Sequence, residues 1–161
     1  MRDNGSGTII NIGSISGVVT TPFASAYCAS KAAMNSLSDA LRLELAPFGI
    51  RVVCVQPGGI RSNFGNSSSA GVERIMKQNS WYTSIRDSID ERAQESQSNP
   101  MPAEELAQRI VSIVESKNPP AIVRYGSKSF LLPFLKVVLP TNALDAIFRK
   151  RFGLHKLSSS A

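Results

Sequence analysis

Cysteine and histidine are almost missing from this chain: two of the first and one of the second among 161 residues. Cys28 and Cys54 cannot form a disulfide framework, and with His155 they have no zinc-knuckle spacing. Both read as small buried hydrophobes of a reducing compartment. No base adjoins Cys28 to activate it as a nucleophile, and His155, in a basic tail, reads as a surface residue. A serine hydrolase needs a G-x-S-x-G elbow and a partner histidine; IGSISG offers serines and glycines, never at that spacing. Acids are scarce too, 12 against 18 Lys and Arg, which leaves a net charge of +6. That balance favours anionic partners, such as phosphate-bearing ligands or acidic lipid surfaces. No aromatic–basic interleaving points to nucleic acid. No apolar run is long enough to span a bilayer, and MRDNGSGTII lacks the apolar core of a secretory signal. There are no internal repeats. With 42% apolar residues the chain reads as globular, one domain or part of a larger one, with a modest core.

What is present alternates between two periodicities. Gly7 to Gly13, GTIINIG, is a β-rich apolar run bounded by glycines and predicts a buried strand. A polar loop follows, and from Ala24 to about Ala46 the pattern is helical, closed by Pro47 and Gly49. Ala33, Leu37, Ala40, Leu41 and Leu45 repeat at helix spacing along it. Ile50 to Pro57, IRVVCVQP, predicts a second buried strand. Strand, long helix, strand is the βαβ unit of a parallel sheet. A Gly- and Ser-rich loop is expected from Gly58 to about Ala70. Val72, Ile75, Met76, Ile85 and Ile89 then suggest a helical segment broken near Trp81. ERAQESQSNP, residues 91–100, reads as a polar, mobile stretch.

Pro102 opens a helix whose first turn holds Glu104 and Glu105 and whose apolar stripe is Leu106, Ile110, Ile113 and Val114. Ala121 to Gly126, AIVRYG, predicts a third strand. The tail is apolar from Phe130 to Pro140, interrupted by Pro133 and Lys136. Leu144, Ile147, Phe148 and Phe152 then mark an amphipathic helix carrying Arg149, Lys150 and Arg151. Residues 130–152 read in two ways: a surface that lies on a membrane, or a helix pair covering the sheet or a substrate pocket.

One pair of residues stands out chemically. Tyr27 and Lys31 are four positions apart in SAYCASKAAMNSL, neighbours on one helix face. A free phenol is a poor base and a reluctant acid at neutral pH; a nearby ammonium favours the phenolate. A phenol so tuned exchanges a proton with a carbonyl or alcohol oxygen, and a neutral hydroxyl beside it can hold the same oxygen as charge develops. The pair alone is weak, since Tyr82 and Arg86 have the same spacing and carry no assignment. The surroundings count for more. Ser14 follows the first strand, Tyr27 and Lys31 open the next helix, and PGGIRS, Pro57 to Ser62, leaves the second strand. Three segments therefore converge at the carboxyl ends of two parallel strands, where open α/β sheets bind ligands.

INIGSISG, then YCASK with thirteen positions from Ser14 to Tyr27, then VQPGGIRS, resembles the short-chain dehydrogenase/reductase family between about Gly7 and Ser62. The resemblance implies an α/β fold, the C-terminal portion of a doubly wound, Rossmann-like parallel sheet. It implies hydride transfer between a nicotinamide dinucleotide and a carbonyl or alcohol. On that likeness Tyr27 is the acid/base, Lys31 lowers its pKa and binds the nicotinamide ribose, and Ser14 orients the substrate oxygen. Pro57, Gly58 and the Ile60 backbone meet the nicotinamide end. Ser62 stands where the family usually has threonine, and Gly13-Ser14 where it often has two serines. The 58–98 region is expected to form the substrate lid. The apolar, proline-punctuated tail resembles lipid- and steroid-acting members, acyl-dihydroxyacetone-phosphate reductases among them. That likeness implies NADP(H), with NAD as the other option, and a lipid-like carbonyl substrate.

The first βαβ half of a dinucleotide fold, with its glycine-rich turn against the pyrophosphate, is not in the sequence. GSGTII precedes a strand instead of following one. The Asn-Asn-Ala-Gly stretch, the catalytic asparagine and the residue that selects NAD or NADP are absent too. Residues 1–161 therefore read as a partial domain, with 127–161 an apolar and basic extension, and as a truncated chain of little activity alone. A cytoplasmic location is expected, peripheral on endoplasmic reticulum or lipid droplets if the tail lies on a membrane. The alternative is a non-catalytic fragment that associates with membranes or forms a homodimer through the helix from Ala24, the helix that usually meets a partner subunit in this family.

Overall fold

The computed structural model describes residues 1–157; residues 158–161 of the expected extension lie outside them. Among the described residues there are three strands and six α-helices. Strands β1 (Gly7–Ile12), β2 (Ile50–Pro57) and β3 (Ile122–Tyr125) form one parallel sheet in that order. Gly7 pairs with Ile50 and Ile12 with Val55; Cys54 pairs with Ile122 and Pro57 with Tyr125. The central strand β2 is buried along most of its length, as its continuous apolar run requires of a strand covered on both faces.

Alternate residues of β2 face opposite layers. Val53 and Val55 point to α4 (Ala103–Glu115), where they meet Ile113 and Val123 with Ile10, Leu106 and Ile110 packed around them. Val114, expected in the same stripe, is exposed: it lies one helical step beyond the face that Leu106, Ile110 and Ile113 share. Cys54 points to α1 (Ser25–Leu45), its thiol 3.2 Å from Asn35 Oδ1.

Helix α1 turns part of its apolar stripe away from the sheet. Ala33, Leu37 and Ala40 of its expected apolar stripe are exposed, and the side against the sheet carries Cys28, Asn35 and Ser38. The polar ones among them find partners on the sheet and in the helix backbone. Asn11 Nδ2 donates to Ser38 Oγ at 3.0 Å, and Ser38 Oγ donates to the Met34 carbonyl at 2.7 Å. Small residues allow close approach, and a buried hydroxyl with partners carries no desolvation penalty of an orphan group. Leu37 and Leu43 are left facing outward.

Two further differences follow β2. Helix α2 spans Phe64–Ile75, so the expected loop of 58–70 ends at Asn63. Helix α3, expected through Ile89, spans Arg86–Gln94 and is followed by a 3-10 turn, Glu95–Gln97, so residues 91–97 are regular where a mobile stretch was expected. The break between α2 and α3 includes Trp81, as the pattern predicts. After β3 come α5 (Leu131–Val138) and α6 (Thr141–Arg151), the latter buried through Leu144, with Phe152 buried just beyond it.

Ile113 is the side chain through which α4 enters the core, 3% exposed against Val53, Val55 and Val123. Ile113→Ala is expected to destabilise the fold by about 2–5 kcal/mol, the range for truncating a buried isoleucine. Urea denaturation followed by circular dichroism measures it, as a lower midpoint with an unchanged slope.

Candidate active site

The parallel ladder carries one bond past the end of β1: the Gly13 N–H donates to the Val55 carbonyl at 2.7 Å. Ser14 then caps a 3-10 turn, Ile15–Gly17, its buried Oγ accepting from the Ser16 N–H at 3.1 Å. Gly17 lets this turn rest on α1. A Cβ there would stand 2.5 Å from the Lys31 carbonyl, closer than van der Waals contact allows.

The first turns of α1 supply the next two groups. Lys31 Nζ donates to the Ile12 carbonyl at 3.0 Å, tying the helix to the last residue of β1. The same ammonium lies 5.8 Å from the centre of the Tyr27 ring. Tyr27 is half-buried, its ring 5.0 Å from that of Phe64 at the start of α2.

The loop after β2 is woven into two other segments. The Gly58 N–H donates to the Tyr125 carbonyl at 2.7 Å, and a Cβ on Gly58 would meet the Ser127 carbonyl at 2.0 Å. The Arg61 N–H donates to the Met101 carbonyl at 2.8 Å. Gln97 closes the loop with both ends of its amide: Nε2 donates to the Ile60 carbonyl at 3.0 Å and Oε1 accepts from the Ser62 N–H at 3.1 Å.

Ser14, Tyr27, Lys31, Pro57, Gly58, Ile60 and Ser62 all line one cleft of about 430 Å³ at the carboxyl edge of the sheet. A second cavity of about 610 Å³ adjoins it, with Tyr27, Phe64 and Arg92 common to both walls. Its lining is largely apolar, from Phe23 through Val72, Ile75 and Ile89. Phe23 takes a left-handed backbone, φ 62°, uncommon for a bulky side chain. Its ring stands edge-on to Tyr82 at 5.4 Å. A hydroxyl, a phenol and an ammonium on one wall beside an apolar cavity form a set of groups able to exchange a proton with a carbonyl oxygen.

Three polar residues of the cleft, Arg92, Glu95 and Gln97, were missed from the sequence because they belong to the stretch expected to be mobile. Arg92 Nε and Nη2 donate to Thr21 Oγ1 at 3.0 and 2.6 Å. Glu95 accepts from Lys128 and, at 2.9 Å, from Arg151 Nη2. Gln97 is the clamp just described. The readable signal was Ala93, which continues Ile85 and Ile89 at a spacing of four; all three are buried. Burial by itself would raise the Glu95 carboxyl. The hydrogen bond from Lys128 and the charges of Lys128, Arg151 and Arg92 outweigh it and hold the group below its ordinary value.

A parallel sheet with helices on both faces and a polar cleft at its carboxyl edge defines an open α/β ligand-binding domain of the Rossmann type. The model for the short chain dehydrogenase family matches residues 1–73. The NADPH-dependent 1-acyldihydroxyacetone phosphate reductase of Saccharomyces cerevisiae is 31% identical over 96% of this chain and 51% of its own. The probable short-chain type dehydrogenase/reductase VdlC of Helicobacter pylori is 35% identical over 88% of this chain and 51% of its own. A solved short-chain dehydrogenase from Streptomyces avermitilis superposes with a TM-score of 0.64 at 27% identity, over 98% of this chain and 53% of that one. The chain is similar to the short-chain dehydrogenase/reductase family, and it spans about half the length of the relatives it matches.

The depressed carboxyl gives the cleft a defined response to acid. Glu95 contributes stability that is present above its unfolded-state value and is lost as pH falls through its folded-state value. Denaturation midpoints of the wild type and Glu95→Gln, compared from pH 7 down to pH 3, are expected to converge as the pH drops.

Proposed function

We propose that this chain forms the catalytic edge of an NADP(H)-dependent oxidoreductase that reduces or forms the carbonyl of a lipid-like substrate. The observation that supports it best is the shared cleft of Ser14, Tyr27 and Lys31 beside an apolar cavity. Tyr27 passes a proton to the carbonyl oxygen, or takes it from the alcohol, and Ser14 holds that oxygen by a hydrogen bond. Lys31 stays in place through its bond to the Ile12 carbonyl and turns its charge toward the ring. Pro57, Gly58, the Ile60 backbone and Ser62 meet the nicotinamide end of the dinucleotide, and Tyr27 and Lys31 its ribose. When bound, the nicotinamide supplies or accepts the hydride. The residues present fit that end of the cofactor: a polar edge next to a loop whose backbone Gln97 holds in one conformation. The described residues include no glycine-rich strand–turn–helix for the pyrophosphate, so the chain alone binds the dinucleotide weakly and turns over little. NADP is favoured over NAD because relatives of this chain bear NADPH-dependent names.

The substrate is a small molecule with an apolar portion that the second cavity accommodates, acyl-dihydroxyacetone phosphate being one candidate. Residues 1–161 act as one partial domain, with 127–161 its extension, of which Lys128, Leu131, Phe148, Arg151 and Phe152 line the cleft. No helix among the described residues is long and apolar enough to cross a membrane. Phe130, Phe134, Val137 and Val138 are nevertheless exposed around α5, and Arg149 and Lys150 end α6. These support peripheral attachment to an anionic membrane face, endoplasmic reticulum or lipid droplet, of a cytoplasmic protein. The exposed Leu37 and Leu43 of α1 support a homodimer, and they favour the second reading, a non-catalytic dimerising or membrane-associating chain.

Two measurements separate the readings. Thermal-shift titration of the 161-residue chain with NADPH is expected to show weak, unsaturated stabilisation; tight saturable binding would contradict the partial site. In a chain that also carries an in-frame glycine-rich half, a panel of ketones assayed with NADPH and NADH is expected to reveal turnover. Tyr27→Phe should lower kcat by about 10²–10⁴-fold with the fold retained, the range for losing a positioned acid/base. Equal turnover in the variant would remove the phenol from the mechanism.

A further inference from the structure

Arg92 is a cation with no carboxylate at ion-pair distance among the described residues. Its guanidinium has five N–H donors, and only the Thr21 hydroxyl receives from it, through Nε and Nη2. Below it lies the ring of Phe152, 5.9 Å away, which is buried and takes Arg151 at 5.7 Å as well. Burial drives the guanidinium below its ordinary value, while Cys28, Glu95 and Tyr27 act in the opposite direction.

The charge around it is one-sided. The first cleft is lined by Lys31, Arg92, Lys128 and Arg151 against a single acid, Glu95. Lys128 and Arg151 already occupy that carboxylate. In the second cavity Arg92 is the only charged side chain on the described wall. A desolvated cation facing an apolar cavity is unfavourable unless an anion pairs with it. Low-dielectric walls of one sign concentrate counter-charge at such a point.

We propose that Arg92 recognises a carboxylate or phosphate on the substrate, at the junction of the two cavities and next to Tyr27. The substrate is then an anionic amphiphile. Its charged group meets Arg92, its carbonyl lies toward Tyr27, and its apolar chain runs between Val72, Ile75, Met76 and Ile89 in the second cavity. Thr21 is a positioning residue, holding the planar fork by its hydroxyl so that the remaining N–H groups face the ligand. This assignment rests on the oxidoreductase reading for the carbonyl, and on Arg92 alone for the anion.

The test is a binding measurement, so a chain without turnover still reports on it. Hexyl phosphate, hexanoate and hexanol are titrated into the 161-residue chain by thermal shift and calorimetry. Saturable stabilisation by hexyl phosphate or hexanoate, and none by hexanol, is expected; the stronger of the two identifies the anion. Arg92→Gln should weaken that binding about tenfold to a hundredfold, the range for a charge-assisted hydrogen bond. Arg92→Lys should restore part of it, and Thr21→Val should weaken it by a smaller factor. Circular dichroism of each variant verifies the fold, and Thr21→Val carries the test if Arg92→Gln does not fold. Unchanged affinity in Arg92→Gln, or hexanol binding as well as the anions, overturns the proposal. Failure of the oxidoreductase reading appears elsewhere, as ketone turnover that survives Tyr27→Phe, and leaves the anion titration unaffected.

Discussion

The parallel pairing of β1 with β2 is the constraint from which the cleft follows. Parallel neighbours cannot be joined by a tight turn; the chain must leave one carboxyl end, cross the sheet and re-enter at the amino end of the next strand. Helix α1 is that crossing. It therefore begins at the carboxyl edge, and Tyr27 and Lys31, in its first two turns, are held there by topology before any side chain makes a contact. The register sets the height. Ile12 pairs with Val55 and Gly13 bonds to the Val55 carbonyl, so Ser14 and Pro57 emerge together. The bond from Lys31 to the Ile12 carbonyl then links helix and strand at the point where both reach the cleft.

That economy explains what was legible in the sequence. Ser14, Tyr27, Lys31 and the turn from Pro57 to Ser62 lie within the β1–α1–β2 unit, whose periodicities are local and whose geometry is restricted by the handedness of crossovers. The second half of the site was not legible, for a physical reason. In α3 most positions are charged or polar, and only Ile89 and Ala93 are buried. Ile85 and Ile89 mark its start, and packing on α2 carries the helix on through Arg92 and Ala93, a tertiary effect that propensity does not register. Helix α2 is the counterpart: GNSSSAGVERI has the composition of a loop, and Phe64 against Tyr27 anchors its first turn. Gln97 and Glu95 find partners at sequence separations of 33 to 56 residues. No local pattern encodes such pairings.

The face of α1 illustrates a different limit. Helical spacing of Ala33, Leu37 and Ala40 marks an apolar stripe and leaves open what it faces. Apolarity identifies surface that favours burial without saying against what. Asn35 and Ser38 occupy the sheet side because the sheet itself offers polar groups there, Asn11 on β1 and the Cys54 thiol on β2. A matched polar pair in a tight contact is tolerated, whereas one unmatched member is costly. The exchange leaves apolar surface outside, and the same surplus recurs around α5, where Val137 is 84% exposed.

The two halves of the site differ in what holds them, and this bears on what each can do. The β1–α1–β2 edge is fixed by ladder hydrogen bonds and by close approaches at Gly17 and Gly58 that leave no room for a side chain. Acid–base groups belong on such a frame, since proton transfer requires distances near 3 Å to be kept. The opposite wall is built from short helices, a left-handed Phe23 and a left-handed Lys128, conformations that persist only where neighbours over-determine them. Lys128 is secured by Glu95, which Arg151 of the tail also binds, so one carboxylate joins the 3-10 turn after α3, the turn after β3 and α6. Arg92 stands at the boundary between that edge and this wall. A ligand bound to it would brace the wall against the β1–α1–β2 edge, coupling recognition of charge to the shape of the apolar cavity.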